Sequence, residues 1–269
     1  MKKDRLRIDQ RLTELNLAED TAKAKAMLMA GEVFVNGRRI GQAGFTVTKE
    51  DCVEVRSRSL PFASRGGFKL QKALDEFNCD VTGWTAADIG ASNGGFTDCL
   101  LQRGAARVYA VDVGYGQLAP RLRNDPRVTV RDRTNARFLT PADFEAPLQL
   151  ITVDASFIAL ALLLPILKPL LAPEGLLIGL VKPQFEAEAH EVDKGGVVRD
   201  AAVHVRILQN LYRQAAALEF PMVRLTYSPI KGPAGNIEFL AAFSSSGLLT
   251  VLDPEYILQT VTAAHVELG

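Results

Sequence analysis

The chain has 269 residues, 48% hydrophobic and 23% charged. That allows one domain of about 200 residues plus a small appendage, with core enough to fold without disulfide or metal staples. Its 31 Lys/Arg and 31 Asp/Glu balance overall, yet residues 1–72 hold 15 basic and 9 acidic side chains and residues 73–269 hold 16 and 22. A basic front end on an acidic body suits a polyanionic partner at one end. The longest apolar run, Ile158 to Leu164, is too short to span a bilayer, and the start MKKDRLRIDQRL lacks the apolar stretch of a secretory signal. Cys52, Cys79 and Cys99 are scattered, forming neither a disulfide framework nor a CxxC metal pair. A cytoplasmic chain is expected, without membrane span or metal.

In chain order, residues 1–58 predict two helices, Asp9–Leu15 and Asp20–Met29, the second capped by Asp20 and stopped by Gly31. Two short strands should flank the Asn36-Gly37 turn, and a last one covers Asp51–Val55. Residues 59–64 read as a linker because Pro61 pushes Leu60 toward extended backbone. Residues 65–269 read as one α/β domain, opened by a helix at Arg65-Gly-Gly-Phe-Lys69.

Strands are then expected at Thr85–Ile89, Val108–Val111, Val128–Val130, Leu150–Val153, Leu176–Val181, Val223–Tyr227 and Ile237–Phe243. Helices between them include Phe96–Arg103, Leu160–Leu171 and Ala201–Leu218. This alternation predicts a parallel, doubly wound sheet. Only Ser228–Asn236 separates the last two strands, which is too short for a crossover helix, so they should pair antiparallel.

The first segment resembles the small αL RNA-binding fold of a ribosomal small-subunit protein. The likeness rests on Arg7-Ile-Asp9, Leu12, Leu15, Ala24, Met27-Leu28-Met29, Gly31-Glu-Val-Phe-Val-Asn-Gly37 and Val53-Glu-Val55. It implies RNA contacts from Arg5, Arg7, Lys23, Lys25 and Arg38. Asp20-Thr21 departs from the Ser-Arg pair usual in that family. A small α/β appendage used only for packing is the other reading of this segment.

In the larger domain, Asp88-Ile-Gly-Ala-Ser-Asn-Gly-Gly-Phe-Thr-Asp98 follows the first strand and opens a helix. Its spacing is neither G-x-G-x-x-G nor a Walker loop. Asp112 ends the second strand and is placed to accept ribose hydroxyls; Asp132 follows the third and is placed toward an adenine. The expected cofactor residues are Asp88, Gly90, Ala91, Ser92, Asn93, Gly94, Gly95, Phe96, Asp112, Val113 and Asp132. A carboxylate-lined crevice repels pyrophosphate and suits S-adenosylmethionine, which carries a sulfonium and no phosphate.

Nearly the whole chain resembles the TlyA-type (hemolysin A-like) ribosomal RNA 2′-O-methyltransferases, relatives of the FtsJ group. The resemblance is carried by Ser64-Arg-Gly-Gly-Phe-Lys69, the glycine-rich turn, Val111-Asp-Val-Gly-Tyr-Gly-Gln-Leu118, Arg133-Thr-Asn-Ala-Arg137, Asp154-Ala-Ser-Phe157, Val181-Lys-Pro-Gln-Phe-Glu186, Lys194-Gly-Gly-Val-Val-Arg199 and Ser228-Pro-Ile-Lys-Gly232. Asn93 and Asp132 depart mildly from its usual Thr and Glu.

The resemblance implies a class I methyltransferase sheet with one antiparallel strand and a Lys69, Asp154, Lys182, Glu238 tetrad. Lys182 would deprotonate or electrostatically activate the 2′-hydroxyl, Asp154 would orient it, and Lys69 and Glu238 would hold the ribose. Lys182 and Asp154 as a purely structural ion pair is the alternative. The family implies cytidine in ribosomal subunits as target; the chain is expected to be a monomer. Arg65, Arg133 and Arg137 would add RNA contacts, and the loop Glu186–Lys194, with His190, would form a surface lid. Asp154-Ala-Ser-Phe is not the motif that holds an exocyclic amine, and no cysteine is placed to attack a pyrimidine ring. A membrane-lytic hemolysin and a non-catalytic RNA-binding factor are the competing readings.

Overall fold

The computed structural model describes residues 5–55, 61–244, 246 and 249–269. The chain start at 1–4, the expected domain end at 56–58, and residues 59–60 of the expected linker lie outside them. The chain divides into two compact units, Met1–Leu60 and Pro61–Gly269.

In the smaller unit, β1 (Leu6–Arg7) leads into α1 (Ile8–Glu14) and α2 (Thr21–Ala30). Next come β2 (Val33–Val35), β3 (Arg38–Ile40), β4 (Thr46–Val47) and β5 (Val53–Val55). Asp20 caps α2 by accepting from the Lys23 amide at 2.7 Å, and Gly31 ends the helix at φ 70°. Asn36 and Gly37 both adopt positive φ, the left-handed pair a two-residue hairpin needs, and join β2 to β3. Strand β2 is central, between β3 and β5. Ile8, Leu12, Ala24, Leu28, Val33 and Val47 form the core of this unit. The two-residue strands β1 and β4, which pair with each other, were too short to read from sequence.

The larger unit begins earlier than the expected domain start. Phe62 is buried and meets the Phe68 ring edge-on at 5.4 Å, and the Ala63 amide donates to Asp98 Oδ2 at 2.6 Å. The apolar side chain therefore draws residues 61–64 out of the linker and into the core. Helix α3 (Gly66–Glu76) leads to β6 (Thr85–Ile89), α4 (Gly95–Gln102), β7 (Arg107–Val111), α5 (Pro120–Arg123) and β8 (Val128–Arg131). After these come β9 (Leu148–Val153), α6 (Leu160–Leu167), β10 (Leu171–Val181), α7 (Pro183–Glu186), α8 (Ala201–Ala217), β11 (Met222–Tyr227), β12 (Phe239–Phe243) and α9 (Glu255–Leu268).

The seven-stranded sheet runs β11-β12-β10-β9-β6-β7-β8, and β12 is antiparallel to both neighbours. The expected antiparallel pairing of the last two strands is thus present, with β12 inserted beside β10. Helices cover both faces, which explains why the inner strands read as continuous apolar runs rather than alternating ones. Ala86, Val108, Leu150 and Ile178 pack toward one face, whereas Ala87, Tyr109, Ile151 and Leu177 pack toward the other. Successive residues feed opposite layers because strand side chains alternate.

Three expectations shift. The helix expected to reach Leu171 ends at Leu167, since Pro169 has no N–H to continue it. The last strand starts at Phe239 rather than Ile237, because the Asn236 side chain bonds the Val198 amide and the Gly196 carbonyl instead. Helix α9 was not foreseen; Thr260 interrupts its buried stripe of Ile257, Val261 and Ala264.

Helices α3 and α4 approach closely at Gly95, where an added Cβ would lie 2.9 Å from the Gly67 amide nitrogen and 2.2 Å from Ser64 Oγ. Backbone cannot yield as a flexible side chain can. Gly95→Ala should destabilise the fold by about 1–3 kcal/mol, read as a fall of several degrees in the thermal unfolding midpoint; an unchanged midpoint would show that the two helices part freely.

Candidate active site

Parallel strands β6, β7, β9 and β10 deliver their C-terminal ends to one crevice, the usual ligand position in an open α/β sheet. After β6 the chain turns at Gly90, which has φ 85° and lies against β9's exit: a Cβ there would be 2.7 Å from the Asp154 carbonyl oxygen. Any side chain at 90 would therefore push Asp154 out of place.

A cleft of about 540 Å³ opens beside this turn. Gly90, Ser92, Asp112 and Val113 line it, as expected, together with Asp154. The Asp112 carboxylate is held at its edge by the amides of Ser92 and Gly114, each at 2.7 Å. Two carboxylates in a crevice with a glycine backbone fit a ligand with a diol and a cationic centre, as S-adenosylmethionine has. Asp112 would hold the ribose diol and Asp154 would sit toward the sulfonium.

Other expected cofactor residues lie elsewhere. Asp88 is fully buried beneath the turn, where its Oδ2 accepts from the Thr97 amide at 2.9 Å and the Thr97 hydroxyl at 2.7 Å, and its Oδ1 from the Thr152 hydroxyl at 3.2 Å. It ties β6, α4 and β9 together and does not line the cleft. Burial pushes its carboxyl up to about 7 despite these donors. Ala91, Gly94, Gly95 and Phe96 are buried as support. Asn93 is exposed off the cleft, and its carbonyl accepts from the Ala119 amide at 3.3 Å. Asp132 pairs with Arg123 at 2.8 Å, which lowers its carboxyl below the ordinary range, and it accepts from the Gly116 amide at 3.2 Å. It braces the loop after β7 and does not line the cleft. Thr134 and Asn135, within the Arg-Thr-Asn run, line the cleft in its place.

A second cleft of about 440 Å³ contains Lys69, Asp154, Lys182 and Glu238 together. Lys182 follows β10 and Asp154 follows β9; their Nζ and Oδ1 are 2.7 Å apart. Lys69, on α3, donates from Nζ to Glu238 Oε2 at 2.5 Å. Glu238 precedes β12 rather than lying on it, and an added Cβ at Gly232 would be 2.5 Å from its Oε1. Burial raises the Glu238 carboxyl above the ordinary range, and the Lys69 ammonium opposes that rise. Both clefts include Asp154 and Ser156, so they share an edge.

The sequence reading passed over Ser156, whose Oγ accepts from Lys182 Nζ at 3.0 Å, and Gln184, which lines the second cleft. Both lie inside quoted motifs, which was the available signal. The expected lid residues Val192 and Gly196 line this cleft, while Arg206 pairs with Glu191 and Asn236 bonds the Gly196 carbonyl, so the loop is tethered. His190 is exposed and its Nδ1 lies 3.5 Å from Glu188 Oε2. Cys99 is buried, which pushes its thiol up to about 12 and leaves it no nucleophile.

Arg133 and Arg137 are exposed, with Arg133 4.5 Å over the Tyr115 ring and Arg137 lining the first cleft; Arg65 is exposed where α3 starts. In the small unit, Lys23 and Lys25 are exposed on α2, and Arg5 and Arg38 line a cleft that also holds Glu50 and Asp51. The Arg7 guanidinium is held bidentately by Asp9 through Nε and Nη2 at 3.0 and 2.8 Å, and its side chain is half exposed.

A sheet with this strand order, a glycine-rich turn after the first strand of its domain and carboxylates at the crevice define a class I, S-adenosylmethionine-dependent methyltransferase. The FtsJ-like methyltransferase family matches residues 62–245, and the S4 domain matches residues 6–53. The chain belongs to the FtsJ-like methyltransferase family, with an S4 domain ahead of its catalytic domain. The "16S/23S rRNA (cytidine-2'-O)-methyltransferase TlyA" of Mycobacterium tuberculosis (strain CDC 1551 / Oshkosh) is 42% identical over 236 residues, covering 87% of this chain and 88% of that one. "Hemolysin A" of Brachyspira hyodysenteriae is 41% identical over 239 residues, covering 88% and 99%. A solved structure from Streptococcus thermophilus aligns with a TM-score of 0.77 at 39% identity, covering 98% and 96%.

Asp88 carries a pH dependence of known sign. Its folded value of about 7 exceeds the unfolded value of about 3.9. The folded state therefore holds the extra proton between these values, so the contribution is complete below about pH 4 and is lost as pH rises through about 7. Asp88→Asn keeps an acceptor oxygen but cannot ionise. Urea unfolding at several pH values from 4 to 8 should show wild type losing ground to the Asn variant as pH rises; parallel curves would contradict a neutral, buried Asp88.

Proposed function

We propose that this chain transfers a methyl group to the ribose 2′-oxygen of a cytidine in ribosomal RNA of a ribosomal subunit, in the cytoplasm. The observation that carries the reading is the convergence of Lys69, Asp154, Lys182 and Glu238 in one cleft that shares its edge with the cofactor cleft. The base and the RNA class follow the printed name of the TlyA relative. The RNA-facing surface is supported by exposed Tyr115, Phe138 and Phe157, with Arg133 and Arg137 exposed near them in sequence; bases stack on such aromatic rings. Residues 1–58 would serve as the docking module and residues 65–269 as the catalytic one.

S-adenosylmethionine, when bound, supplies an electrophilic methyl on a sulfonium. The chain's own task is to align a 2′-hydroxyl and manage the charge that develops on it. Paired with Asp154, Lys182 acts as a cation: its N–H stabilises the oxygen as negative charge grows there. The Asp154 side chain is 23% exposed and that of Glu238 only 1%, so Asp154 is the carboxylate open to receive the hydroxyl proton. Glu238, buried and fixed by Lys69, would hold the shape of the cleft wall against which the sugar lies. Alignment and electrostatics thus divide between the two ion pairs.

A lytic activity finds no comparable support. The Brachyspira relative bears a hemolysin name, but among the described residues no helix is long and apolar enough to cross a membrane.

Purified chain, labelled S-adenosylmethionine and each ribosomal subunit should yield labelled RNA whose marked linkage resists alkali, since a methylated 2′-oxygen cannot attack the adjacent phosphate. Lys182→Ala should lower transfer by about 10²–10³-fold with cofactor affinity within several-fold. A variant that methylates at near wild-type rate would remove Lys182 from its assigned role.

A further inference from the structure

Lysine is a poor choice for exact placement of charge, since its ammonium ends a flexible four-carbon stem and carries three N–H donors. One carboxylate partner fixes its distance but not its direction. In this structure Lys182 Nζ has two close partners on one short turn: Asp154 Oδ1 at 2.7 Å and Ser156 Oγ at 3.0 Å, with the Asp154 carbonyl at a longer 3.5 Å. The two close anchors fix the position of the ammonium, and its longest contact, to the Asp154 carbonyl, is the one an incoming oxygen would displace.

Ser156 is exposed and fills no core, so packing does not explain its place. It lines both clefts, on the edge they share. The turn that presents it is also conformationally unusual. The next residue, Phe157, has φ 63°, a left-handed value uncommon for a bulky side chain, and its ring is 89% exposed. Strain of this kind persists where surrounding structure holds it, and it concentrates at functional sites.

We propose that Ser156 is a positioning residue for the methyl transfer: its hydroxyl, with Asp154, aims the Lys182 ammonium at the incoming 2′-oxygen. This rests on the methyltransferase reading above and adds to it a third group at the reacting centre. Accepting from Lys182 leaves the Ser156 O–H itself able to donate into the shared edge of the clefts. The contribution is to alignment, so it appears in the chemical step and not in the affinity of either ligand.

The test compares wild type, Ser156→Ala and Ser156→Thr in single-turnover label transfer from S-adenosylmethionine to purified ribosomal subunits, with enzyme in excess. Ser156→Ala should slow the step by roughly 5- to 50-fold, with cofactor and subunit affinities within twofold of wild type. Ser156→Thr, which keeps the hydroxyl, should recover to within about threefold. Crystal structures give a reading independent of activity: Lys182 Nζ should keep one position in wild type and take a second rotamer in Ser156→Ala. An Ala variant within twofold of wild type, a Thr variant as slow as Ala, or an unmoved Nζ would each overturn the assignment. Should wild type transfer no label, the methyltransferase reading itself would fail, and the position of Nζ would still decide whether Ser156 places it.

Discussion

The Lys182–Asp154 ion pair joins the ends of two neighbouring parallel strands, and much of the larger unit is arranged around it. Strands β9 and β10 pair in register up to Gly179 and Val153, so the residues just beyond them emerge side by side. Gly90 is required where it is because the Asp154 carbonyl occupies the space a side chain would need. Asp88, in turn, pins the strand carrying that glycine to α4 and β9 through the hydroxyls of Thr97 and Thr152. A shift in any of these elements would reach the pair.

Charges in such a place have a cost. Taking an ammonium and a carboxylate out of water is unfavourable, and the pairing repays this only with good geometry and further hydrogen bonds. Lys69 and Glu238 are almost fully buried and meet at 2.5 Å; Lys182 is nearly as buried, its partner Asp154 is more open, and Ser156 also accepts from Lys182. In the proposed function the Lys69–Glu238 pair is the scaffold and the Lys182–Asp154 pair the working group. Two buried ion pairs are weak evidence for stability; their convergence in one cleft, with Asp154 also lining the other, is what supports the proposed chemistry.

Most elements were legible because their signals are local. Asp20 as a cap, Gly31 as a stop and the Asn36-Gly37 turn depend on backbone preferences of single residues, and the structure places them as read. The parallel sheet followed from alternating apolar strands and helices. Two of the departures come from contacts made at a distance. Phe62 left the expected linker for a core that a linear reading cannot see, and Asn236 delayed the last strand by bonding a loop nearly forty residues away.

The amino-acid order by itself determined the class of fold and the glycine-rich turn, since motif spacing and periodicity are properties of neighbouring residues; the four candidate tetrad residues came from the family resemblance. It could not decide how the four pair, that Asp88 lies beneath the cleft while Asp112 lines it, or that Ser156 touches Lys182. Those facts arise from residues up to 169 positions apart meeting across strand ends and helices. Distances there are set by packing and hydrogen bonding of the assembled sheet, which no local preference encodes.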